Sequence, residues 1–350
     1  MKTIKFLAAM LFISTFSFGQ NYSQKIDSIV RANYEKHPDV GISVGFIREN
    51  QNFITSYGKL SKNSKRNVDK NSIFEIASVT KILTGNMIAQ AANEKKLKLN
   101  DFIDGYLPKQ YLLQKNLQNK IRVSDLASHQ SGLPDFDFMK LMQLNPQQPM
   151  IGITEESTAE MINSCANLTD YGKFKYSNIN YTLLGQILEK IYGKTYDEII
   201  REKIMRPAKM NQTLTQDFNV RNITTGYNSE GVTQEFLLWN VTAPAGLVKS
   251  STSDMVKYLE MLLTTGNPIS EAASVMEKVY YKDEKREMGL GYNINHDDED
   301  TLFVKSGDSM GQSSIICYNR AKKWGIIILL NKRDSKMRQD LLNDIIHILK

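Results

Sequence analysis

The chain has 350 residues, 41% of them hydrophobic, and a formal net charge of +6 at pH 7. This length allows one large domain, or two closely joined ones, with a substantial core. Because the charge is small for the size and spread along the chain, composition gives no indication of nucleic-acid binding. The two cysteines, Cys165 and Cys317, are too few for a disulfide scaffold, and we expect buried free thiols.

The first 20 residues have the composition of a cleaved secretory signal. Lys2 and Lys5 precede an apolar run at residues 6–18, which is too short to span a bilayer. The first cysteine is Cys165, so the cleavage region offers no thiol for a lipid anchor, and no later apolar run is long enough for a membrane helix. We therefore predict a signal peptide over residues 1–20 and a secreted or periplasmic protein without a transmembrane segment.

The predicted secondary structure begins with a helix and a β-hairpin, continues with helices and ends with strands and a helix. Apolar residues recur at helical spacing early in the chain, and a polar turn at residues 49–52 joins two strands. Predicted helices lie at residues 23–37, 79–96, 181–192, 196–205, 251–263 and 336–349. Predicted strands lie at residues 41–50, 51–60, 288–295, 301–306, 313–318 and 324–330, with a turn at 296–300.

The order of these elements predicts the fold class. If the early and late strands share one sheet, the helical middle is inserted between them. We predict an α+β fold: an antiparallel β-sheet flanked by helices, with an inserted all-helical lobe. A single domain would cover residues 21–350, with an α/β lobe at about 21–75 and 270–350 and a helical lobe at about 82–265. A small-molecule site is expected in the cleft between the lobes.

One stretch places a serine and a lysine on the same helix face. In "FEIASVTKILTG" (74–85), Ser78 and Lys81 lie three positions apart in a run of apolar and small residues, so their tips would be in hydrogen-bonding range. A second S-x-x-K, Ser56 to Lys59, lies in a predicted strand, where residues three apart face opposite sides. Only the helical copy can form the pair, although a lysine that merely extends out of a core helix would also explain it.

Two further stretches carry side chains that could complete a site. Tyr176-Ser177-Asn178 lies in a turn ahead of a predicted helix and could present a phenol and an amide to a cleft. Lys305-Ser306-Gly307 ends a predicted strand, and its glycine permits a close approach of backbone. The order and wide separation of the three stretches favour a common site.

A serine hydroxyl becomes a good nucleophile only when a neighbouring base removes its proton. No histidine lies in a pattern that indicates a triad with Ser78; the four are His37, His129, His296 and His347. We expect His129 to be a hydrogen-bonded structural residue. Burial and the second cation at Lys305 should lower the pKa of Lys81, and either Lys81 or Tyr176 could accept the Ser78 proton.

The remaining steps of an acyl transfer can be assigned to nearby groups. Tyr176 would deliver the proton to the leaving group. The backbone N–H groups of Ser78 and Asp308 would hold the oxyanion. Lys305 would attract a substrate carboxylate, whereas the carboxylate of Asp308 would disfavour an anionic substrate.

At these residues the chain resembles the serine hydrolases that include class C β-lactamases, D-alanyl-D-alanine peptidases of the same fold and related esterases. The resemblance extends over about residues 40–332. It also includes "VSDLASHQSGLPDF" (123–136), "KFKYSNINYTLLGQILEKIYGKTY" (173–196), "PAGLVKSSTSDMVKYL" (244–259) and "KSGDSMGQSS" (305–314). It implies an α/β sandwich lobe, an all-helical lobe, a site in the cleft, and neither cofactor nor metal.

The resemblance also implies residue roles. Ser78 would be the acylated nucleophile, Lys81 its partner and Tyr176 the general base. Asn178 would contact a substrate amide, and the third motif would bind substrate through Lys305, Ser306 and Gly307. Lysine at position 305, where many related esterases and peptidase-like members have histidine, favours β-lactam or D-peptide chemistry.

We therefore predict a monomeric exported serine hydrolase that forms an acyl-enzyme on amide bonds of β-lactam or D-amino-acid peptide type. Its partners would be small-molecule or peptide substrates, including peptidoglycan fragments, and not nucleic acid. A carboxylesterase of the same fold is the first alternative, and a catalytically silent protein that binds peptides or peptidoglycan is the second.

A rival motif is the G-x-S-x-G at residues 307–311, the nucleophile elbow of α/β-hydrolases, centred on Ser309. That elbow needs a strand before it, a helix after it, and an Asp and then a His later in the chain. Here a predicted strand follows, and the only later histidine is His347 near the end of the chain. We interpret the motif as accidental.

Overall fold

The computed structural model describes residues 22–49, 51–297 and 300–349; the predicted signal peptide lies outside them. Its helices include α1 (22–36), α2 (Thr80–Asn93), α3 (Val123–Ala127), α4 (Phe138–Leu144), α5 (Glu155–Asn163), α6 (Asn178–Tyr192), α7 (Tyr196–Ile200), α8 (Ala243–Gly246), α9 (Thr252–Leu263), α10 (Pro268–Met276) and α11 (Ser335–Leu349). Its strands include β1 (Ile42–Arg48), β2 (Gln51–Tyr57), β3 (Ile73–Glu75), β4 (Gly226–Tyr227), β5 (Thr233–Gln234), β6 (Lys249–Ser251), β7 (Tyr281–Lys282), β8 (Glu287–Met288), β9 (Asn293–Asp297), β10 (Asp300–Asp308), β11 (Ser313–Asn319) and β12 (Trp324–Leu330).

The main sheet joins the two ends of the chain. Its eight described strands lie in the order β2-β1-β12-β11-β10-β9-β8-β7, and all neighbours are antiparallel. The early hairpin contacts the late strands through β1 and β12, where Ile42 pairs with Leu330. Early and late strands therefore share one antiparallel sheet with helices against it, and the predicted fold class is confirmed.

Helices cover both faces of this sheet, which explains why β12 is apolar throughout. Side chains alternate between faces along a strand. Ile326 and Ile328 pack in one cluster with α1 and α11, whereas Ile327 and Leu329 pack in the larger cluster formed with the other helices. Each such side chain stabilises the fold by roughly 1.5–3 kcal/mol relative to an exposed position.

Helix α2 lies at the centre of the helical side and is buried on every side from Thr80 to Ala91. It packs against α6, α8 and α10. Two of its polar side chains are paired within the core: Asn86 donates to the Ile269 carbonyl at 3.0 Å, and Gln90 donates to Asn86 at 2.9 Å. Lys81, which belongs to this helix, is therefore shielded from bulk solvent.

The short strands β3 and β6 connect the sheet region to the helical region. They pair antiparallel, with Ile73 opposite Ser251 and Glu75 opposite Lys249. The chain thus reaches α2 from β3 and reaches α9 from β6. The boundaries of the two predicted lobes stay a prediction.

Several predicted boundaries differ from the structure. The helix predicted from residue 181 begins at Asn178, because the Ser177 hydroxyl caps it by accepting the Asn180 N–H at 3.4 Å. The strand predicted at 288–295 is divided into β8 and β9 by a bend in which Gly291 has φ +101°. The helix predicted at 196–205 is α7 followed by a π-helical turn, Arg201–Met205.

The predicted turn at residues 296–300 is shorter than expected. His296 and Asp297 still belong to β9, and Asp300 already belongs to β10. Residues 298 and 299 lie outside the described part of the chain.

The structure agrees with the predictions about the two cysteines and about membrane-spanning helices. Cys165 and Cys317 are both buried and free, as expected. Across residues 22–49, 51–297 and 300–349, the structure contains no helix that is both long and apolar enough to cross a bilayer.

Candidate active site

Ser78 lies on a sharp turn between β3 and α2. The turn is a short 3-10 helix, Ala77–Val79, that leads directly into α2. Ala77 has φ +44°, a left-handed conformation that is uncommon for residues other than glycine. Ala77 and Val79, the neighbours of Ser78, are buried, whereas Ser78 is partly exposed. The strained turn therefore presents the serine hydroxyl at the start of a helix.

Two further segments bring their polar tips to this hydroxyl. The Lys81 Nζ lies 3.2 Å from the Ser78 Oγ, and the Tyr176 hydroxyl donates to the same oxygen at 2.7 Å. The lysine comes from the next turn of α2, and the tyrosine comes from the loop ahead of α6. The structure thus places the three predicted chemical groups together.

Lys81 is held in a fully buried position with neutral partners. Besides Ser78, its Nζ donates to the Asn178 Oδ1 at 2.9 Å and to the Ala245 carbonyl at 2.6 Å. Burial lowers the pKa of Lys81 from its usual 10.5 to about 7, although the negative charge of Asp135 opposes this shift. Near neutral pH the amine is therefore neutral in a large fraction of molecules.

Tyr176 lies between two lysine side chains. The Nζ atoms of Lys81 and Lys305 lie 4.8 Å and 4.6 Å from the centre of its ring. Burial lowers the pKa of Lys305; the nearby Tyr176 opposes this shift and Lys81 adds to it. The tyrosine itself is 40% exposed, so its ring forms part of the wall that a substrate would meet.

His129 supports Tyr176 from the buried side. The centres of the two rings are 4.5 Å apart, and the His129 Nδ1 accepts the Ser177 N–H at 3.2 Å. Burial, together with the charges of Lys305 and Lys81, lowers the pKa of His129 well below its usual 6.5, so the imidazole is neutral at pH 7. The expectation of a hydrogen-bonded structural histidine is confirmed.

Asp135 is a site residue that the sequence analysis missed. Its carboxylate accepts the Asn178 N–H at 2.8 Å and the Ile179 N–H at 3.0 Å, and so caps α6. A negative charge at a helix N-terminus is favourable. This carboxylate fixes the residue that binds Lys81 and raises the pKa of Lys81. It lies 43 positions before Asn178 in the chain, so no local pattern indicated the contact.

The third motif divides between the two faces of the sheet. Lys305 and Gly307 face the catalytic side, because side chains alternate along β10. Ser306 faces the opposite side, where it lines a separate cavity with Leu342 and Ile346 of α11. Ser306 therefore lies away from the groups around Ser78, and its predicted contact with substrate stays a prediction.

Gly307 allows β10 to reach the nucleophile. A Cβ atom at this position would lie 2.8 Å from the Ser78 nitrogen and 2.6 Å from the Ile76 carbonyl oxygen. Only glycine fits without displacing backbone. The end of β10 therefore lies against the Ser78 N–H. This strand end also carries the Asp308 N–H, and these two N–H groups are the ones predicted to hold an oxyanion.

The carboxylate of Asp308 is neutralised. It accepts hydrogen bonds from the Arg338 guanidinium and the Ser313 hydroxyl, both at 2.6 Å. Arg338 is itself buried and also donates to the Gly307 carbonyl at 3.1 Å. This pairing weakens the repulsion that Asp308 would exert on an anionic substrate, and the expectation that Asp308 disfavours such substrates stays a prediction.

A cavity of about 240 Å³ adjoins these groups. Ser78, Tyr176 and Asn178 lie on its wall. Much of the remaining lining is apolar and includes Phe138, Met150, Leu237, Ala245, Leu247 and Met310. Among the described residues, no group of three or more His, Cys, Asp or Glu side chains is arranged to hold a metal ion.

The rival elbow serine is used differently. The Ser309 hydroxyl donates to the Glu75 carboxylate at 2.6 Å and is buried. Strand β11 follows the motif, whereas an elbow requires a helix there. This geometry agrees with the interpretation that the G-x-S-x-G pattern is accidental as a nucleophile motif.

The comparison with protein families decides the identity of the fold. A family model described as beta-lactamase matches residues 26–349. The chain belongs to the beta-lactamase family. The chain is also similar to a beta-lactamase of Pseudomonas fluorescens, with 23% identity over 349 residues that cover 88% of this chain and 93% of that protein.

Another relative is longer than this chain. Protein flp of Staphylococcus aureus strain MW2 is 26% identical over 325 residues, which cover 88% of this chain. The chain spans 63% of the length of that relative.

Solved structures of the family share the fold. A class C beta-lactamase superposes with a TM-score of 0.82 at 20% identity, covering 94% of this chain and 97% of that one. A beta-lactamase/D-alanine carboxypeptidase from Pseudomonas syringae has a TM-score of 0.82 at 19% identity, covering 94% and 99%. At these identities the likeness shows the fold alone.

Proposed function

We propose that the protein is an exported serine hydrolase that forms an acyl-enzyme on Ser78 and cleaves amide bonds of β-lactam or D-amino-acid peptide type. One observation carries the proposal: the Ser78 Oγ lies 3.2 Å from a buried amine and 2.7 Å from a phenol. The geometry meets the requirement that a nucleophile and its base lie within hydrogen-bond reach. The carboxypeptidase named among the structural relatives supports the choice of substrate class.

Acylation would begin with proton transfer to Lys81. A neutral amine has two N–H bonds and one lone pair. The two N–H bonds match the acceptors at Asn178 and Ala245, which leaves the lone pair for the Ser78 hydroxyl. As the Ser78 oxygen attacks the substrate carbonyl carbon, the N–H groups of Ser78 and Asp308 would stabilise the negative charge that forms on the carbonyl oxygen.

Breakdown of the tetrahedral intermediate needs a proton on the leaving nitrogen. Tyr176 adjoins both Ser78 and the cavity, so its hydroxyl can pass a proton to the leaving amine and regain one from Lys81. Hydrolysis of the acyl-enzyme would reverse these roles, with water in place of the amine. Asn178, whose Oδ1 is held by Lys81, would offer its amide N–H to the substrate.

The apolar cavity lining supports a second candidate, a carboxylesterase of the same fold. Met150, Leu237, Leu247 and Met310 would accommodate an apolar acyl group. An ester also needs less help at the leaving oxygen than an amide needs at nitrogen. The two candidates share Ser78 chemistry and differ in substrate.

A covalent probe tests the shared chemistry. Purified protein is treated with fluorescent penicillin and with a fluorophosphonate, and the labelled peptide is identified by mass spectrometry. We expect label on Ser78 and none in Ser78→Ala. The control is Ser56→Ala, which removes the serine of the other S-x-x-K and should label normally.

Turnover then separates the candidates. Hydrolysis of nitrocefin or of D-alanyl-D-alanine peptides would support the amide proposal, and hydrolysis of p-nitrophenyl esters alone would support the esterase. Label at Ser309 would contradict the site, and no label with any probe would favour a silent binding protein. Recovery of a protein cleaved near residue 20 from the culture medium or periplasm would test the proposed export.

A further inference from the structure

A buried glutamate lies behind the nucleophile and contacts two walls of the catalytic cavity. Glu75 ends β3, three residues before Ser78, and is 5% exposed. Its carboxylate accepts the Ser309 hydroxyl at 2.6 Å and the Leu237 N–H at 2.7 Å. Ser309 and Leu237 both line the cavity that contains Ser78. One carboxylate thus joins the nucleophile strand to two separate wall segments.

Lys249 accompanies this carboxylate. It lies opposite Glu75 in the β3–β6 ladder, with its Nζ 3.8 Å from a carboxylate oxygen. The same Nζ donates to the Leu237 carbonyl at 2.7 Å and lies 3.5 Å from the centre of the Phe218 ring. Burial lowers the pKa of Lys249 to about 8, and Glu75 opposes this shift. The ion pair therefore holds Leu237 through both its N–H and its carbonyl.

The turn after β10 is tied to the same carboxylate. The Ser309 N–H donates to the Gln312 carbonyl at 2.9 Å, and the Ser309 hydroxyl oxygen accepts the Gln312 N–H at 3.1 Å. The Gln312 side chain in turn accepts the Glu75 N–H at 3.0 Å. This turn directly follows Asp308. Its backbone is therefore fixed relative to Glu75 by two side-chain bonds.

We propose that Ser309, Glu75 and Lys249 form a positioning network that holds the N–H groups of Ser78 and Asp308 in the geometry that binds the oxyanion. This rests on the proposed acyl-transfer function. The serine of the G-x-S-x-G pattern thus acts on the strand end that carries one oxyanion donor, and it does not attack substrate. Oxyanion donors act only when they are held at hydrogen-bond distance from the charge that develops.

The network is better suited to positioning than to bulk stability. A buried ion pair adds little stability compared with apolar residues of the same volume. Here the side-chain bonds of Glu75 and Lys249 go to residues that line the cavity, Ser309 and Leu237. The bonds therefore fix the relative position of three cavity segments.

The test compares two buried serines. Ser309→Ala removes the bond to Glu75. Ser43→Ala is the matched control, because Ser43 is fully buried in β1 and its hydroxyl bonds Thr252 at 2.6 Å and Ser56 at 2.8 Å. For each variant we measure Tm, kcat and KM on the best wild-type substrate, and inhibition by phenylboronic acid, whose tetrahedral adduct resembles the transition state.

We expect both variants to lose a similar amount of Tm and only Ser309→Ala to lose activity. Its kcat should fall about 10-fold to 100-fold, less than the 10²–10³ lost when an oxyanion donor is removed outright. KM should change little, and the inhibition constant of phenylboronic acid should rise in parallel with the loss of kcat. Glu75→Gln keeps the side-chain shape without the charge, and the same changes in kcat, KM and inhibition are expected there, with a larger loss of Tm because Lys249 is left buried without its counter-charge. This second variant keeps the test valid even if Ser309→Ala fails to fold.

An unchanged kcat in Ser309→Ala and Glu75→Gln would overturn the network while leaving the proposed function intact. An equal loss of kcat in Ser43→Ala would also overturn it, because the loss would then reflect stability alone. A wild-type protein that neither labels nor turns over any acyl donor would instead overturn the proposed function, and the network's role with it.

Discussion

Two of the buried lysines, Lys81 and Lys249, have opposite kinds of partner. Lys81 on α2 contacts a hydroxyl, an amide oxygen and a backbone carbonyl, and none of these hydrogen-bond partners is a carboxylate. Lys249 on β6 has the Glu75 carboxylate 3.8 Å away and aromatic rings beside it. Burial lowers the pKa of both, to about 7 and about 8.

The difference shows how burial alone does not define a lysine's role. Lys81 has no bonded counter-charge, and desolvation, which the charge of Asp135 only partly offsets, makes it a base near neutral pH. With Glu75 beside it, Lys249 keeps its charge more readily and holds backbone in place. The hydroxyl nucleophile lies beside the first lysine and not beside the second.

Replacing each lysine by methionine should separate these roles and gives the largest expected effect. Lys81→Met should lower kcat about 10³-fold, because a general base contributes 10²–10⁴. The acceptors that it frees belong to Asn178 and Ala245, two residues that line the cavity. Lys249→Met should lower the free energy of unfolding by about 3 kcal/mol, because it leaves Glu75 buried and unpaired. Steady-state kinetics and urea unfolding measure the two quantities.

The comparison would fail if Lys81→Met were the less stable variant, or if Lys249→Met lost more kcat than Lys81→Met. Either result would mean that the two ammonium groups have exchanged the roles given to them here.

Gly307→Ala should have the next largest effect. The added methyl would lie 2.6 Å from the Ile76 oxygen and 2.8 Å from the Ser78 nitrogen, so the strand end must move away from the nucleophile. We expect about a 100-fold loss of kcat and a loss of roughly 1–3 kcal/mol in the free energy of unfolding. The control is Gly152→Ala, where a Cβ meets no atom within 4 Å. Equal kcat in the two variants would argue against a close approach of β10.

The pH dependence should sharpen the assignment of Lys81 as base. Since the neutral amine is the active form, kcat/KM should rise with pH through about 7. Asp135→Asn removes the charge that raises this pKa, so the rise should move to lower pH. Asp137→Asn is the matched control, because Asp137 also caps a helix, α4, through the Lys140 N–H. A shift to higher pH in Asp135→Asn, or an equal shift in Asp137→Asn, would contradict the assignment.

Ser306→Ala should have the smallest effect. Because Ser306 faces α11 on the far side of the sheet, we expect kcat and KM within about twofold of the wild type. A tenfold rise in KM would instead support the contact between Ser306 and substrate that the motif predicted.

The central strands of the sheet were predictable because each is a single short run of largely apolar residues, as in β1 and β12. The run Trp324–Leu330 lies buried on both faces, and its composition alone indicated a core strand. Boundaries were less predictable. The start of α6 depends on the Ser177 cap together with the carboxylate of Asp135, which is far away in sequence, and the bend between β8 and β9 depends on backbone that a glycine permits.

For the site, local spacing identified Ser78 and Lys81, because three positions on a helix always place two side chains on one face. Local spacing could not show which side chains of β10 face the catalytic side, because the pairing of a strand with its neighbours decides the face on which each side chain lies. Glu75 and Asp135 carry no local signal, because both act on partners from other segments.

The sequence by itself determined which chemical groups are available: a serine and a lysine one helical turn apart, a tyrosine ahead of a capped helix, and a glycine at a strand end. Tertiary structure alone decided their chemistry. Only folding removes water from Lys81, pairs Asp308 with Arg338 and places Glu75 between two walls. The physical reason is that desolvation and charge pairing act over a few ångströms in space, whatever the separation along the chain.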